Sequence, residues 1–87
     1  MNRNGMRPIH PGEILSEEFL KPLGISTAAL ASWLNEPEAE VSKVVGRQSG
    51  IGAGLAQKLS IHLNTTPEFW LNLQSTYDLR SAQIERG

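Results

Sequence analysis

Apolar residues recur at intervals of three or four positions in five short segments of this 87-residue chain, with glycine or proline between neighbouring segments. This is the spacing of amphipathic helices, and no segment shows the alternation of a half-buried strand. Pro11, Pro37 and Pro67 fall where helices would start, and Gly24 falls where one would end. The pattern therefore predicts an all-α fold, a bundle of five short helices.

The first helix is predicted between Pro11 and Gly24, and the second between a Ser26 cap and Asn35. The third is predicted to begin at Pro37. The fourth and fifth are predicted from about Ala53 and from Pro67, which follows the capping Thr66. Trp70 is expected to be exposed at a dimer seam. The residues at core spacing include Ile14, Leu15, Phe19, Leu30, Ala31, Leu34, Val41, Val44, Val45, Leu55, Ala56, Leu59, Leu63, Phe69, Leu73 and Tyr77.

Length and composition limit the organisation of the chain. So short a chain supports one core, so residues 8–87 are predicted to form a single domain after a polar, flexible arm of residues 1–7. The absence of cysteine excludes thiolate zinc sites and fits a reducing cytoplasm. No apolar run approaches the roughly 20 residues that cross a bilayer, so we expect a cytoplasmic protein without a membrane partner.

Catalysis has no support in the sequence. We find no nucleophile–base motif and no glycine loop that would cradle a phosphate, so no enzyme activity, catalytic residue or cofactor is expected. His10, Glu13 and Glu17 have a spacing that metal ligands can show, but a helix-start residue and two solvated acids explain them better.

The second and third predicted helices are separated by only Asn35 and Glu36. Two short helices joined by so tight a turn are typical of a helix-turn-helix, in which the second helix enters the major groove. The hydroxyls of Ser26 and Thr27 would then face a phosphate. The same turn also occurs in helical bundles that bind no nucleic acid. With a net charge of −1, DNA binding would depend on local geometry.

The third helix and the turn after it combine acids with a few bases. Glu36 and Glu38 are expected to complement the positive end of the helix dipole, whereas Glu40 has that interpretation or accepts a hydrogen bond from a cytosine amino group. Gln48 is suited to pair with adenine. The candidate DNA-binding residues are Ser26, Thr27, Glu38, Ala39, Glu40, Ser42, Lys43, Arg47, Gln48 and Ser49.

From residue 6 to residue 80 the chain resembles the HigA antitoxins, also called VapI-like, of the Xre helix-turn-helix family. The resemblance lies in "MRPIHPGEIL", "EEFLKPLGIS", "ALASWL" and "TTPEFWLNLQSTYDLR". It implies that residues 8–87 form one antitoxin domain, a five-helix bundle with a lambda-repressor-like helix-turn-helix. It further implies a homodimer that represses its own operon at a palindromic operator and neutralises a RelE-like, mRNA-cleaving toxin.

The chain departs from the family pattern at the surface implied to touch DNA. Thr27 stands where the family usually has glutamine, Arg47 replaces a glycine, and Gln48 and Ser49 replace two basic residues. Gly52 replaces a capping threonine. These departures leave an alternative open, in which the domain is an antitoxin-like protein-interaction module with weak or lost DNA binding.

Overall fold

The computed structural model describes residues 7–86, so all of the predicted arm except Arg7 lies outside the described residues. Within this range the chain forms five helices and no strand, with a radius of gyration of 13.2 Å. The all-α prediction is confirmed. The helices are α1 (residues 11–23), α2 (Thr27–Leu34), α3 (Glu38–Val45), α4 (Ala53–Leu63) and α5 (Pro67–Arg86).

Helix α1 contains a wide turn that the sequence pattern did not predict. Its residues Leu15–Leu20 are π-helical, and the N–H of Lys21 donates to the carbonyl of Ser16, five residues back. Pro22 follows directly, and in a regular α-helix its ring would clash with the carbonyl four residues earlier. The wider turn accommodates the proline and brings Leu15 and Leu20, also five residues apart, to the same buried side.

Trp70 is the largest side chain of the core. It is 0% exposed, its Nε1–H donates to Thr65 Oγ1 at 2.7 Å, and its ring lies 5.3 Å from that of Phe19. The expectation that Trp70 is exposed is therefore wrong. The inward stripe of α5 runs through positions 70, 73, 74 and 77. Phe69 flanks this stripe and is 38% exposed, so its assignment to the core was also wrong, and Leu79 is exposed as well.

The joints between helices follow from residues that tolerate left-handed backbone. Gly24, Asn35 and Asn64 have φ values of 68°, 57° and 56° and end α1, α2 and α4. Pro37 caps α3, so that helix begins one residue later than predicted. Glu36 thus lies outside the first turn of α3 and pairs with Lys58 of α4, which corrects its assignment to the α3 dipole.

Two close contacts fix α3 and the turn that follows it. The start of α1 meets the end of α3 at Gly12, where an added Cβ would lie 1.8 Å from the carbonyl oxygen of Val44. The N–H of Ile51 donates to Gln74 Oε1 at 2.7 Å, which ties the α3–α4 turn to α5. Among the helices of residues 7–86, none is both long and apolar enough to cross a membrane.

Candidate nucleic-acid interface

The outer face of α3 is narrow, and most of its side chains are short. Val41 and Val44 are 2% and 3% exposed and face the core. At about 100° per residue, Ala39 and Lys43 lie opposite them, and Ser42 flanks this pair. All three are exposed. Because alanine and serine are small, another surface can approach the α3 backbone closely at this face.

The start of α2 borders the same region. Ser26 Oγ accepts the N–H of Ala29 at 3.0 Å, as an N-cap does. Thr27 is half-buried at the first helical position. Both residues line a hollow of about 400 Å³ beside Val45 and Lys21. Lys21 is a neighbouring base that reasoning from the helix-turn-helix segment missed, because it belongs to α1.

The charges of the two acids of α3 are partly compensated, that of Glu40 by a nearby base and that of Glu38 by the helix dipole. Glu40 Oε2 lies 3.7 Å from Lys43 Nζ, one turn further along the helix. Glu38 is exposed in the first turn, where the helix dipole favours a carboxylate. These contacts reduce the negative field of the α3 surface, and the cytosine contact of Glu40 stays a prediction.

The turn after α3 holds a strained arginine. The N–H groups of Gln48 and Ser49 both donate to the carbonyl of Lys43, at 2.8 and 3.2 Å, and close the turn. Within it Arg47 has φ 64°. This left-handed conformation costs a non-glycine residue about 1–2 kcal/mol. Arg47 Nη1 lies 3.6 Å from Glu13 Oε1 of α1, a contact between segments that sequence reasoning did not find.

Glu13 has a second and closer basic partner. Arg7 donates from Nη1 and Nη2 to its two carboxylate oxygens at 3.1 and 3.0 Å. These hydrogen bonds hold the pKa of Glu13 below its usual range. The sequence analysis assigned Arg7 to the flexible arm and not to the candidate site. The signal that it missed is the short sequence separation of six residues between Arg7 and Glu13.

The candidate residues border α3 on two sides. Ser26 and Thr27 line the hollow that also contacts Val45, and Arg47 lines an adjoining one that shares Val45. Glu40 and Ser49 line a separate hollow of about 190 Å³ between α3 and α4. The candidate residues therefore form two groups beside α3: Ser26, Thr27 and Arg47 around Val45, and Glu40 with Ser49 next to α4. Ser49 is half-buried, and Arg47 and Gln48 are exposed.

His10 stabilises the region from beneath. It is 5% exposed, its Nδ1 accepts the N–H of Gly12 at 2.9 Å, and its ring lies 4.8 Å from that of Tyr77. The imidazole also lies close to the backbone of Ser49 in the α3–α4 turn. Burial, aided by the positive charge of Arg47, lowers the pKa of His10.

This lowered pKa predicts a pH-dependent stability. In the unfolded chain the imidazole titrates near pKa 6.5, so below that pH the unfolded state binds more protons than the folded state. The contribution of His10 is thus fully present above about pH 6.5 and is lost as the pH falls toward its lower folded pKa. We expect His10→Asn, which keeps a cap acceptor, to be less stable at pH 7.5 but to lose less stability on acidification.

Urea unfolding at pH 7.5, 6.5 and 5.5 measures this difference, with His62→Asn on the exposed face of α4 as the control for removal of a histidine. If His10→Asn and the unaltered protein lose the same free energy of unfolding between pH 7.5 and 5.5, His10 does not titrate in the way its burial implies.

Comparison with known proteins places this arrangement in a family. No protein-family model matches the chain. Virulence-associated protein I of Dichelobacter nodosus is 42% identical over 84 residues, which cover 97% of this chain and 78% of that protein. Antitoxin HigA-1 of Vibrio cholerae is 40% identical over 79 residues, covering 91% and 74% of the two chains.

Several solved structures are similar to this chain in both fold and sequence. Antitoxin GraA is 54% identical with a TM-score of 0.92, covering 95% of this chain and 89% of its own. GraA in complex with its operator is 55% identical with a TM-score of 0.84, covering 94% and 83%. Pseudomonas aeruginosa antitoxin HigA with the higBA promoter is 47% identical with a TM-score of 0.90, covering 93% and 88%. The chain therefore belongs to the HigA antitoxin family of helix-turn-helix transcription regulators, a family of non-enzymatic proteins.

Proposed function

We propose that this chain is an antitoxin that binds the operator of its own operon as a dimer, with α3 in the major groove. The observation that carries the proposal is the outer face of α3, which is exposed and has mostly short side chains. Val41 and Val44 on the opposite side anchor the helix in the core. Support also comes from GraA and HigA, which bind operator or promoter DNA and share about half of their aligned residues with this chain.

The chemistry of the face suits a duplex. Ala39 lets α3 approach the base edges and can contact a thymine methyl group, and the hydroxyl of Ser42 can donate or accept a hydrogen bond at a base edge. Lys43 and Arg47 supply positive charge for the phosphates. In a dimer the two α3 helices would reach half-sites about 34 Å apart, so a palindromic operator is expected. Such binding takes place in the cytoplasm, where operator DNA is found.

The antitoxin role adds a protein partner. We assign it to a RelE-like, mRNA-cleaving toxin, since HigA antitoxins resemble this chain over almost its full length. Co-expression tests this assignment. We expect a small basic protein to be encoded beside this gene. Expressed alone it should arrest growth, and co-expression of this chain should relieve the arrest and yield a complex that co-purifies.

Removing the two basic side chains of the face should weaken DNA binding. We expect the double substitution Lys43→Ala with Arg47→Ala to lower affinity for the upstream duplex by tenfold or more at about 0.1 M salt. Each residue is assigned a phosphate contact, and these side chains carry no part of the core. Fluorescence anisotropy with a labelled duplex from the gene's own upstream region measures the affinity, and circular dichroism should show unchanged helical content.

A matched control removes two charges elsewhere. Arg80→Gln with Arg86→Gln, both on α5, makes the same change in net charge, keeps the pair of Glu36 with Lys58, and should lower affinity much less. Equal affinity of the Lys43/Arg47 variant and the unaltered protein would show that another surface reads the operator.

The alternative function is an antitoxin-like module that binds its toxin or itself but has lost most DNA affinity. Gln48 and Ser49, which stand where the family pattern has bases, favour it, as does the exposed acid at Glu38. Specific binding of the upstream duplex at low salt, with or without the toxin, argues against this alternative. Toxin binding without any specific duplex would support it.

A further inference from the structure

We infer that Arg7 and Arg47, bridged by Glu13, form a clamp for one DNA phosphate beside the end of α3, an inference that rests on the proposed function. We call this group the arginine clamp. It assigns DNA contact to Arg7, which lies outside the helix-turn-helix, and a positioning role to Glu13. The ligand is a backbone phosphate of the operator duplex.

The geometry brings two guanidinium groups to one carboxylate. Arg7 contacts both oxygens of Glu13 within 3.1 Å, and Arg47 lies 3.6 Å from one of them. Arg7 uses two of its five N–H donors in these hydrogen bonds, which leaves three for another acceptor. The contact of Arg47 is too long for a hydrogen bond, so its donors stay available.

Charge and exposure favour an anion at this place. One carboxylate between two guanidinium groups leaves a net positive charge, and Glu17 nearby is paired with Lys21 at 2.7 Å. The side chains of Arg7 and Arg47 are 49% and 58% exposed, whereas that of Glu13 is 26% exposed. The basic groups therefore face solvent above a carboxylate that holds them together.

The backbone of Arg47 points to the same role. A glycine at φ 64° would be unstrained, and glycine is what the family pattern has at this position. Strained residues persist at sites where function requires them. Because Gln48 and Ser49 are not basic here, an arginine at position 47 with Arg7 beside it supplies the positive charge that the turn otherwise lacks.

Salt dependence of binding tests the clamp. In Arg7→Gln we expect the slope of log affinity against log salt to become shallower, by up to about 0.9 per protomer, because the clamped phosphate loses one of its two cationic partners. Operator and scrambled duplexes should weaken by the same factor, because a phosphate contact carries no sequence information. Arg80→Gln removes an equal charge from α5 and should keep the original slope.

Arg47→Gly is the second variant, because it removes the guanidinium while relieving the backbone strain. It should unfold at the same or a higher temperature than the unaltered protein and still show the shallower slope. An unchanged slope in Arg7→Gln, with specific operator binding retained, overturns the clamp and leaves the proposed function intact. No specific binding by the unaltered protein overturns the proposed DNA-binding function and the clamp together.

Discussion

Gly12→Ala is expected to destabilise the domain by about 3 kcal/mol or more, because the new methyl group meets backbone and not a movable side chain. The added Cβ would lie 1.8 Å from the carbonyl oxygen of Val44 and 2.8 Å from its carbonyl carbon. Relief requires α1 and α3 to move apart, which would also displace His10 and the turn that holds Arg47. The midpoint of thermal unfolding should fall by roughly 12 °C or more for a domain of this size.

The same glycine-to-alanine change in α4 provides the control. Nothing lies within 4 Å of a Cβ added at Gly54, and its backbone is helical. Gly54→Ala should therefore stabilise the domain, by about 0.5–1 kcal/mol. Urea unfolding of both variants compares them directly. A Gly12→Ala variant as stable as Gly54→Ala would mean that α1 does not pack closely against α3.

Helix positions were predictable because the signals that set them are local. Proline at 11 and 67, a serine cap at 26 and residues that accept left-handed backbone at 24 and 35 each act within one turn of the chain. Hydrophobic spacing then selected the buried side of α2, α3 and α4. These features need no knowledge of how the helices meet.

The rotation of α5 was harder to predict because it depends on tertiary packing. Trp70 and Phe69 are adjacent aromatic residues of similar hydrophobicity, and the sequence offers both for burial. The stripe that continues through Leu73 and Tyr77 selects Trp70, and the hydrogen bond from its indole to Thr65 satisfies the one polar group that burial would leave unpaired. The helical spacing of positions 70, 73, 74 and 77 would have identified Trp70 as the buried aromatic residue.

For the candidate interface, the exposed face of α3 was predictable from the sequence, and the contacts between α1 and the α3–α4 turn were not. The exposed face of α3 follows from the burial of Val41 and Val44. The contact of Arg47 with Glu13, in contrast, joins α1 to a turn more than 30 residues later. No local rule pairs these segments, since the approach of α1 to α3 is set by the missing side chain at Gly12.

Val44→Asp is expected to unfold the domain at neutral pH. Val44 is 3% exposed in the core cluster with Val41, Leu30 and Leu34, so the substitution buries a carboxylate with no basic partner among these residues. The loss of apolar burial and the cost of an unpaired charge together amount to about 4 kcal/mol or more. A domain of this length has a total stability of roughly 4–13 kcal/mol, so most or all of it is consumed.

Ser42→Asp tests whether burial, and not negative charge on α3, is the cause. It places the same side chain two residues away on the exposed face of the same helix. We expect Ser42→Asp to keep its helical circular dichroism and cooperative unfolding while binding the operator duplex less tightly, because a carboxylate there would approach the phosphates. Val44→Asp should lose both properties. If Val44→Asp instead retains native helical content and unfolding temperature, α3 is rotated relative to the core, and Lys43 cannot lie on its DNA-facing side.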